Sequence, residues 1–238
     1  MTNLDLDKTP LVAPKPTKIF GTVDAPVDLA EAFGGGKTVE RALSALPRIP
    51  MRFYRENLIA CEGDDAENIF FVVSGVVRSC KIFKHGVRNI VAFYLPGDLF
   101  GWTDLKHSLS IEAATDTEVL FLKRNTLLSI ASRENRVASF LLTATTNELG
   151  RAQDHILLMS KSAKCRVATF FTDLWVRLGK AEYLDVPMSY QDMADHLGLT
   201  IETVSRTISD LERSGMITRV STRRLLLQNR LALGHMMN

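Results

Sequence analysis

The stretch over residues 188–211, MSYQDMADHLGLTIETVSRTISDL, constrains this chain more than any other. Its spacing predicts two short helices joined by a tight turn. Ser189 suits an N-cap, and Asp192, three residues on, is a short-armed capping-box acid. Met193, Ala194 and Leu197 make one apolar face, and Gly198 stands where a left-handed C-cap is wanted. Leu199 packs the corner, and Thr200 caps the second helix. On that helix Val204, Ile208 and Leu211 recur at core-facing spacing. Ile201, Glu202, Ser205 and Arg206 fall on the opposite face, within the first turn and a half.

Two helices so arranged make a helix-turn-helix, whose second helix enters the major groove by its N-terminal end. The outward residues carry base-reading chemistry. Arg206 can fork onto guanine O6 and N7, Glu202 can accept from cytosine N4, and Ile201 can lie against a thymine methyl, with Ser205 beside them. A carboxylate near phosphate is electrostatically costly, so Glu202 argues for base reading over general charge attraction. The plain alternative is a surface helix with an (i, i+4) Glu202/Arg206 pair, stabilising by roughly 0.2–0.5 kcal/mol. Ser189, Thr200 and Thr203 sit at the helix starts, where phosphate contacts are expected.

The run LGLTIETVSRTISDLERSGMI resembles the recognition helix of the CRP/FNR family of bacterial transcription regulators, with its E-x-x-S-R pattern and the SGMI turn that follows. Glu202, Ser205 and Arg206 together look most like the FNR/FixK branch. The resemblance covers roughly residues 38 to 235. It implies a homodimer on double-stranded DNA, half-sites like TTGAT and ATCAA, RNA polymerase as a further partner, and usually activation of transcription.

Charge agrees with that reading. The formal net charge is only +2, which excludes a histone-like polycation. Residues 161–238 hold eleven Lys/Arg against eight Asp/Glu, net +3, leaving −1 for the rest. The 46% apolar fraction suits a well-packed chain. No apolar run approaches the ~20 residues of a membrane span. Asp5, Asp7 and Lys8 interrupt the N-terminus where a leader would be apolar. A cytoplasmic protein is expected. Cys61, Cys80 and Cys165 include no C-x-x-C pair, so no metal centre is expected and the thiols read as reduced, partly buried core groups. No nucleophile–base pair or phosphate-cradling loop is present, so no catalytic residue is expected.

In chain order, residues 1–36 are rich in Pro, Lys, Asp and Thr and end in Gly34-Gly35-Gly36, which predicts a flexible tail. Thr38 can cap a short helix with Val39, Ala42, Leu43 and Leu46 on one face, ended by Pro47 and Pro50. From Arg52 to Leu122, short β-runs rich in Val, Ile, Phe and Tyr are punctuated by Gly63, Gly75, Gly86 and Gly97, with a hairpin tip at His85-Gly86. An antiparallel double-sheet roll follows. VVSGVVRS and YLPGDLFG resemble the β-roll of cyclic-nucleotide-binding and CRP/FNR sensor domains.

Such rolls, where they bind cyclic nucleotide, place a Glu and an Arg in the loop after the PGD strand. The Arg is needed because a bidentate guanidinium suits a phosphate. Here Trp102 and Thr103 stand where that loop begins. No Arg lies between Arg88 and Arg124, and Lys106 is the loop's only cation. An oxygen-sensing cluster would need N-terminal cysteines, and residues 1–60 contain none. Haem would need an axial ligand from His85, His107 or Cys80, residues better read as surface or core. No cofactor is expected. The competing reading is an effector-gated regulator binding a small ligand or haem in the roll.

Residues 123–132 predict a short helix and residues 135–159 a long one. Ala138, Leu142, Thr145, Leu149, Ala152, Ile156 and Met159 alternate spacings of four and three, a heptad seam that predicts a two-fold dimer. The alternative is a helix buried within one subunit. Phe140 and Leu141 should pack back on the roll. Met159-Ser160-Lys161 reads as the hinge, Ser162 caps the next helix, and Val167, Phe170, Phe171, Leu174, Trp175 and Leu178 form its apolar face up to Gly179. Residues 216–220 and 225–228 alternate as a hairpin around Ser221-Thr222-Arg223-Arg224, a wing from which Arg219, Arg223 and Arg224 can reach phosphates. The expected chain is thus α+β: a flexible tail over 1–36, an N-terminal antiparallel β-roll of cyclic-nucleotide-binding type over 37–132, a dimerisation helix over 133–159, and a C-terminal winged helix-turn-helix over 160–238.

Overall fold

The computed structural model describes residues 29–33, 35–84, 86–103 and 105–228. Two short helices come first, α1 (Leu29–Ala32) and α2 (Lys37–Ser44). Eight strands follow: β1 (Arg48–Phe53), β2 (Leu58–Ala60), β3 (Asn68–Ser74), β4 (Val77–Ile82), β5 (Arg88–Tyr94), β6 (Leu99–Phe100), β7 (Ser110–Ala113) and β8 (Thr117–Lys123). Then come α3 (Arg124–Ala131), α4 (Asn135–Leu158), α5 (Ala163–Arg177), β9 (Tyr183–Asp185), α6 (Tyr190–Leu197), α7 (Ile201–Arg213), β10 (Ile217–Arg219) and β11 (Arg224–Leu227).

The roll is two four-stranded antiparallel sheets, ordered β1-β8-β3-β6 and β2-β7-β4-β5. Its β3 run is apolar at every position from Ile69 to Val73 because both faces of that sheet are covered. Phe70 and Val72 point into the roll, against Phe53, Val77, Tyr94, Phe100 and Val119. Ile69 and Phe71 point out, against Leu29, Phe33, Leu43, Leu127, Val137 and Leu141 of the helices. Gly75 turns β3 into β4 at φ +79°, and a Cβ there would stand 2.2 Å from the Asp116 carbonyl oxygen. Only glycine fits both constraints.

Some expectations shift. Leu29 and Phe33 are buried, and Phe33 stacks on Phe140 with ring centroids 4.1 Å apart. Packing therefore begins before residue 37. The remainder of the expected tail, residues 1–28, lies outside the described residues, as do Gly34 and His85 of the hairpin tip. Thr38 does not cap α2: the cap is Gly36, with no side-chain bond, and Thr38 lies inside the first turn. Pro50 does not end that helix, which stops at Ser44, but sits within β1, an edge strand of its sheet, where proline is tolerated.

α4 is 24 residues, about 36 Å long. Beyond it the second half packs α5, α6 and α7 over a three-stranded sheet ordered β10-β11-β9. The wing hairpin thus gains a third strand, β9, which its three residues YLD do not announce. The core of this half, with Val167, Phe171, Leu174, Met193, Leu197, Val204, Ile208 and Leu211, is continuous with Cys80, Ile90 and Phe93 on the outer face of the β4–β5 sheet. The two halves therefore share one apolar layer. Leu178 is the exception on α5: it caps the helix and is partly exposed. No helix of the described residues is long and apolar enough to cross a membrane.

Candidate nucleic-acid interface

α6 and α7 are built by their caps. Ser189 Oγ accepts from the Asp192 amide at 3.0 Å and donates to Asp192 Oδ2 at 2.8 Å, while the Ser189 amide donates back to Asp192 Oδ2 at 3.3 Å. This reciprocal box satisfies helix-start donors that would otherwise be orphaned. It also commits the Ser189 hydroxyl proton inside the protein. Gly198 ends α6 in the left-handed region, φ 60° and ψ 41°. Thr200 Oγ1 then accepts from the Thr203 amide at 3.2 Å and lies 3.0 Å from Thr203 Oγ1, starting α7.

Val204, Thr207, Ile208 and Leu211 of α7 are buried. Ile201, Glu202, Ser205 and Arg206 are all exposed, side by side in the first turn and a half. The Glu202 carboxyl is held below its usual range by its own amide at the helix start, the Thr200 hydroxyl and the Arg206 charge. It is an anion fixed at a helix N-terminus, as an acceptor for a base amine requires. Arg206 makes no hydrogen bond among the described residues and is free to fork onto a ligand.

The wing arginines divide. Arg219 pairs with Glu212, Nε to Oε2 at 2.8 Å. Arg224 pairs in a fork with Asp185, at 2.7 and 3.0 Å. Both would have to exchange a carboxylate for a phosphate. Arg223 is exposed and makes no ion pair among the described residues, so of the three it presents a free cation.

The face of α6 turned from α7 is gripped by the roll through charge, which local sequence reading missed. Arg78 of β4 is 1% exposed. Its guanidinium bonds Asp192 Oδ1 at 2.8 Å, Glu112 Oε2 at 2.7 and 2.9 Å, and Glu56. Burial works against that charge, but the Glu56 and Glu112 bonds and the Asp192 charge outweigh it, so its pKa is raised. Arg88 of β5 bonds Asp192 Oδ1 at 2.7 Å and Asp195 Oδ2 at 2.8 Å. His196 of α6 bonds the Ile90 carbonyl at 3.0 Å, and Arg177 of α5 bonds the Phe93 carbonyl at 2.9 Å. Arg166 of α5 ties the hinge to the turn, donating to the carbonyls of Lys161 at 3.0 Å and Leu197 at 2.9 Å.

On α4 the seam residues Leu142, Leu149 and Ile156 are 70%, 58% and 71% exposed, with Thr145 and Ala152 exposed between them. Leu157, 66% exposed, widens the stripe at its C-terminal end. The opposite face carries buried Val137 and Leu141 against the roll's helices. Met159, the last of the expected seam positions, is the C-cap of α4 and half-buried, with its sulfur 3.5 Å from where a Gly198 Cβ would stand.

The roll's loop does not fit a nucleotide phosphate. Lys106, its only cation, donates to the Gly63 carbonyl at 3.0 Å and lies 3.3 Å from Asp65. Arg78 is enclosed by three carboxylates. His107 is buried beside Phe70, ring centroids 5.8 Å apart. Cys80 and Cys165 are buried and Cys61 is half-buried, none of the three in a disulfide. Among the described residues no three His, Cys, Asp or Glu side chains are placed to hold a metal.

Comparison with known proteins agrees with this geometry. Residues 50–134 match the cyclic nucleotide-binding domain family and residues 165–236 the Crp-like helix-turn-helix domain family. The chain is 44% identical over 191 residues to the nitrogen fixation regulation protein FixK of Azorhizobium caulinodans, covering 77% of each chain. It is 33% identical over 173 residues to the transcriptional activatory protein AadR of Rhodopseudomonas palustris, covering 70% of this chain and 72% of AadR. The solved structure of FixK2 from Bradyrhizobium japonicum superposes with a TM-score of 0.76 at 40% identity, covering 80% of this chain and 98% of that one.

Proposed function

This chain belongs to the CRP/FNR family and is a DNA-binding transcription regulator, and from that premise we propose that it acts as a cytoplasmic homodimeric activator on a TTGAT/ATCAA-like palindrome without an obligatory ligand. The observation that carries the reading is the exposed quartet Ile201, Glu202, Ser205 and Arg206 at the start of a helix whose other face is buried. Arg206 reads the half-site guanine and Glu202 a cytosine amine nearby. Thr200, Thr203, Arg223 and the helix-start amides contact phosphate, joined by Arg219 and Arg224 once they release Glu212 and Asp185. Ser189 contributes through the start of α6 rather than through its committed hydroxyl.

The exposed stripe of Leu142, Thr145, Leu149, Ala152 and Ile156 meets its two-fold mate, so that two recognition helices face successive major grooves. DNA-bound dimers then contact RNA polymerase. The lack of any fitting phosphate cation in the roll loop supports activity without cyclic nucleotide. Selecting bound sites from a random DNA pool with the purified protein tests the whole reading: TTGAT-type inverted repeats are expected, and an unrelated or half-site-only consensus would overturn it.

A further inference from the structure

We propose that the charge cluster between the roll and α6 positions the recognition helices for DNA, with Arg78 and Arg88 as positioning residues. The inference rests on the cofactor-free reading above and supplies its physical means: a fixed ionic clamp holds the arrangement that a bound effector would otherwise have to select.

Arg78 and Arg88 face Glu56, Glu112, Asp192 and Asp195, two cations among four carboxylates. The arginines are what keeps Asp192 and Asp195 against the roll; without either, like charges remain crowded at the joint. Arg78 is as buried as the apolar core and Asp192 is 1% exposed, so this is a desolvated pairing rather than a surface one. A buried charge that loses its partner is strongly destabilising to the arrangement that buries it. Asp192 is also the capping-box acid of α6, so the residue that starts the helix-turn-helix is the one the roll holds.

The direction of the effect follows from which faces are used. The clamp holds Asp192, Asp195 and His196 on the face of α6 turned to the roll. Ile201, Glu202, Ser205 and Arg206 lie on α7, exposed, with no bond to the roll among the described residues. The clamp therefore orients the reading face and leaves it open. In a dimer joined along α4, orientation sets the distance between the two recognition helices, and hence which half-site spacing is bound.

The test uses the full-length protein and a duplex carrying its selected palindrome, with fluorescence anisotropy as readout. Arg88 is 22% exposed and Asp195 13%, so this pair tolerates a swap better than Arg78. Arg88→Glu is expected to weaken binding by about tenfold or more, as an unpaired charge facing carboxylates loosens the joint. It should also lose discrimination against a palindrome whose spacer is changed by one base pair. Arg88→Glu combined with Asp195→Arg should recover affinity to within about threefold and restore spacing discrimination, as coupled sites do. Arg88→Gln, which removes the charge without reversing it, should fall between the wild type and Arg88→Glu. Wild-type affinity and spacing preference in all three variants would overturn the proposal, and so would tighter binding by Arg88→Glu, which would make the clamp a brake. Failure of the wild type to bind without additives would instead refute the cofactor-free reading, and the same variants measured with cAMP, haem or reconstituted iron and sulfide, whichever restores wild-type binding, would still decide the clamp.

Discussion

The imidazole rings of His155 on α4 and His196 on α6 stack with centroids 4.4 Å apart and planes 23° from parallel. His196 is also edge-on to Phe93 and Phe170, and its Nδ1–H donates to the Ile90 carbonyl. Burial and the His155 charge push its pKa down from 6.5 to about 4 against the opposing Ile90 bond, with Arg177 adding to the depression. Burial, then Arg166, lowers His155 as well. The folded protein therefore binds fewer protons than the unfolded chain over this range. The stabilisation is complete above pH 6.5 and is lost as the pH falls toward about 4. Its full size for His196 is about 3 kcal/mol. Thermal unfolding at about pH 7.5 and about pH 5 should show a larger loss of Tm in the wild type than in His196→Gln, since the variant removes the titration. Equal losses would contradict the neutral, buried pair.

The apolar stripe on α4 predicts a dimer that one charge can break. Leu149→Asp or Ile156→Asp would bury a carboxylate against its symmetry mate, a cost of several kcal/mol. Sedimentation should show monomers, and operator binding should fail with every DNA-facing residue intact. Dimers in both variants would mean that this face does not join the subunits.

What could be read from sequence divides by the range of the interaction. The helix-turn-helix was legible because Ser189, Gly198 and Thr200 act within three or four residues, and Val204, Ile208 and Leu211 repeat at helical spacing. The roll was legible as strands, but not the reason β3 is apolar throughout, since that depends on helices that precede and follow the roll in sequence. β1 was hidden by Pro50 and β9 by its brevity. The clamp left no local signal: Arg78 and Asp192 are 114 residues apart. The available trace was a lone Arg within the apolar run VVRSCKIF, which a buried partner must explain. Likewise Arg219 and Arg224 read as free cations until tertiary pairing placed Glu212 and Asp185 beside them.

The recognition helix and the wing should fail in different ways. Arg206→Ala should weaken binding and relax preference at one position of each half-site, by roughly 1–3 kcal/mol. Arg223→Ala should weaken all sequences alike and make the salt dependence shallower. A competition assay in which Arg206→Ala keeps full sequence preference would remove Arg206 from base reading.

The β3–β4 turn makes a stability prediction independent of DNA. Gly75→Ala would force a Cβ toward the Asp116 carbonyl in a left-handed backbone. Urea unfolding should show a loss of about 3 kcal/mol. A loss below about 1 kcal/mol would mean that the turn relaxes freely.

The most direct test of activity without a ligand is equilibrium binding by the full-length protein, purified with nothing added, to a TTGAT-type palindrome at physiological salt. Specific binding is predicted in the range of about 10⁻⁸ M or tighter, unchanged by cAMP. Binding that appears only on addition of cAMP, haem or reconstituted iron and sulfide would contradict the account and make the roll a gated sensor.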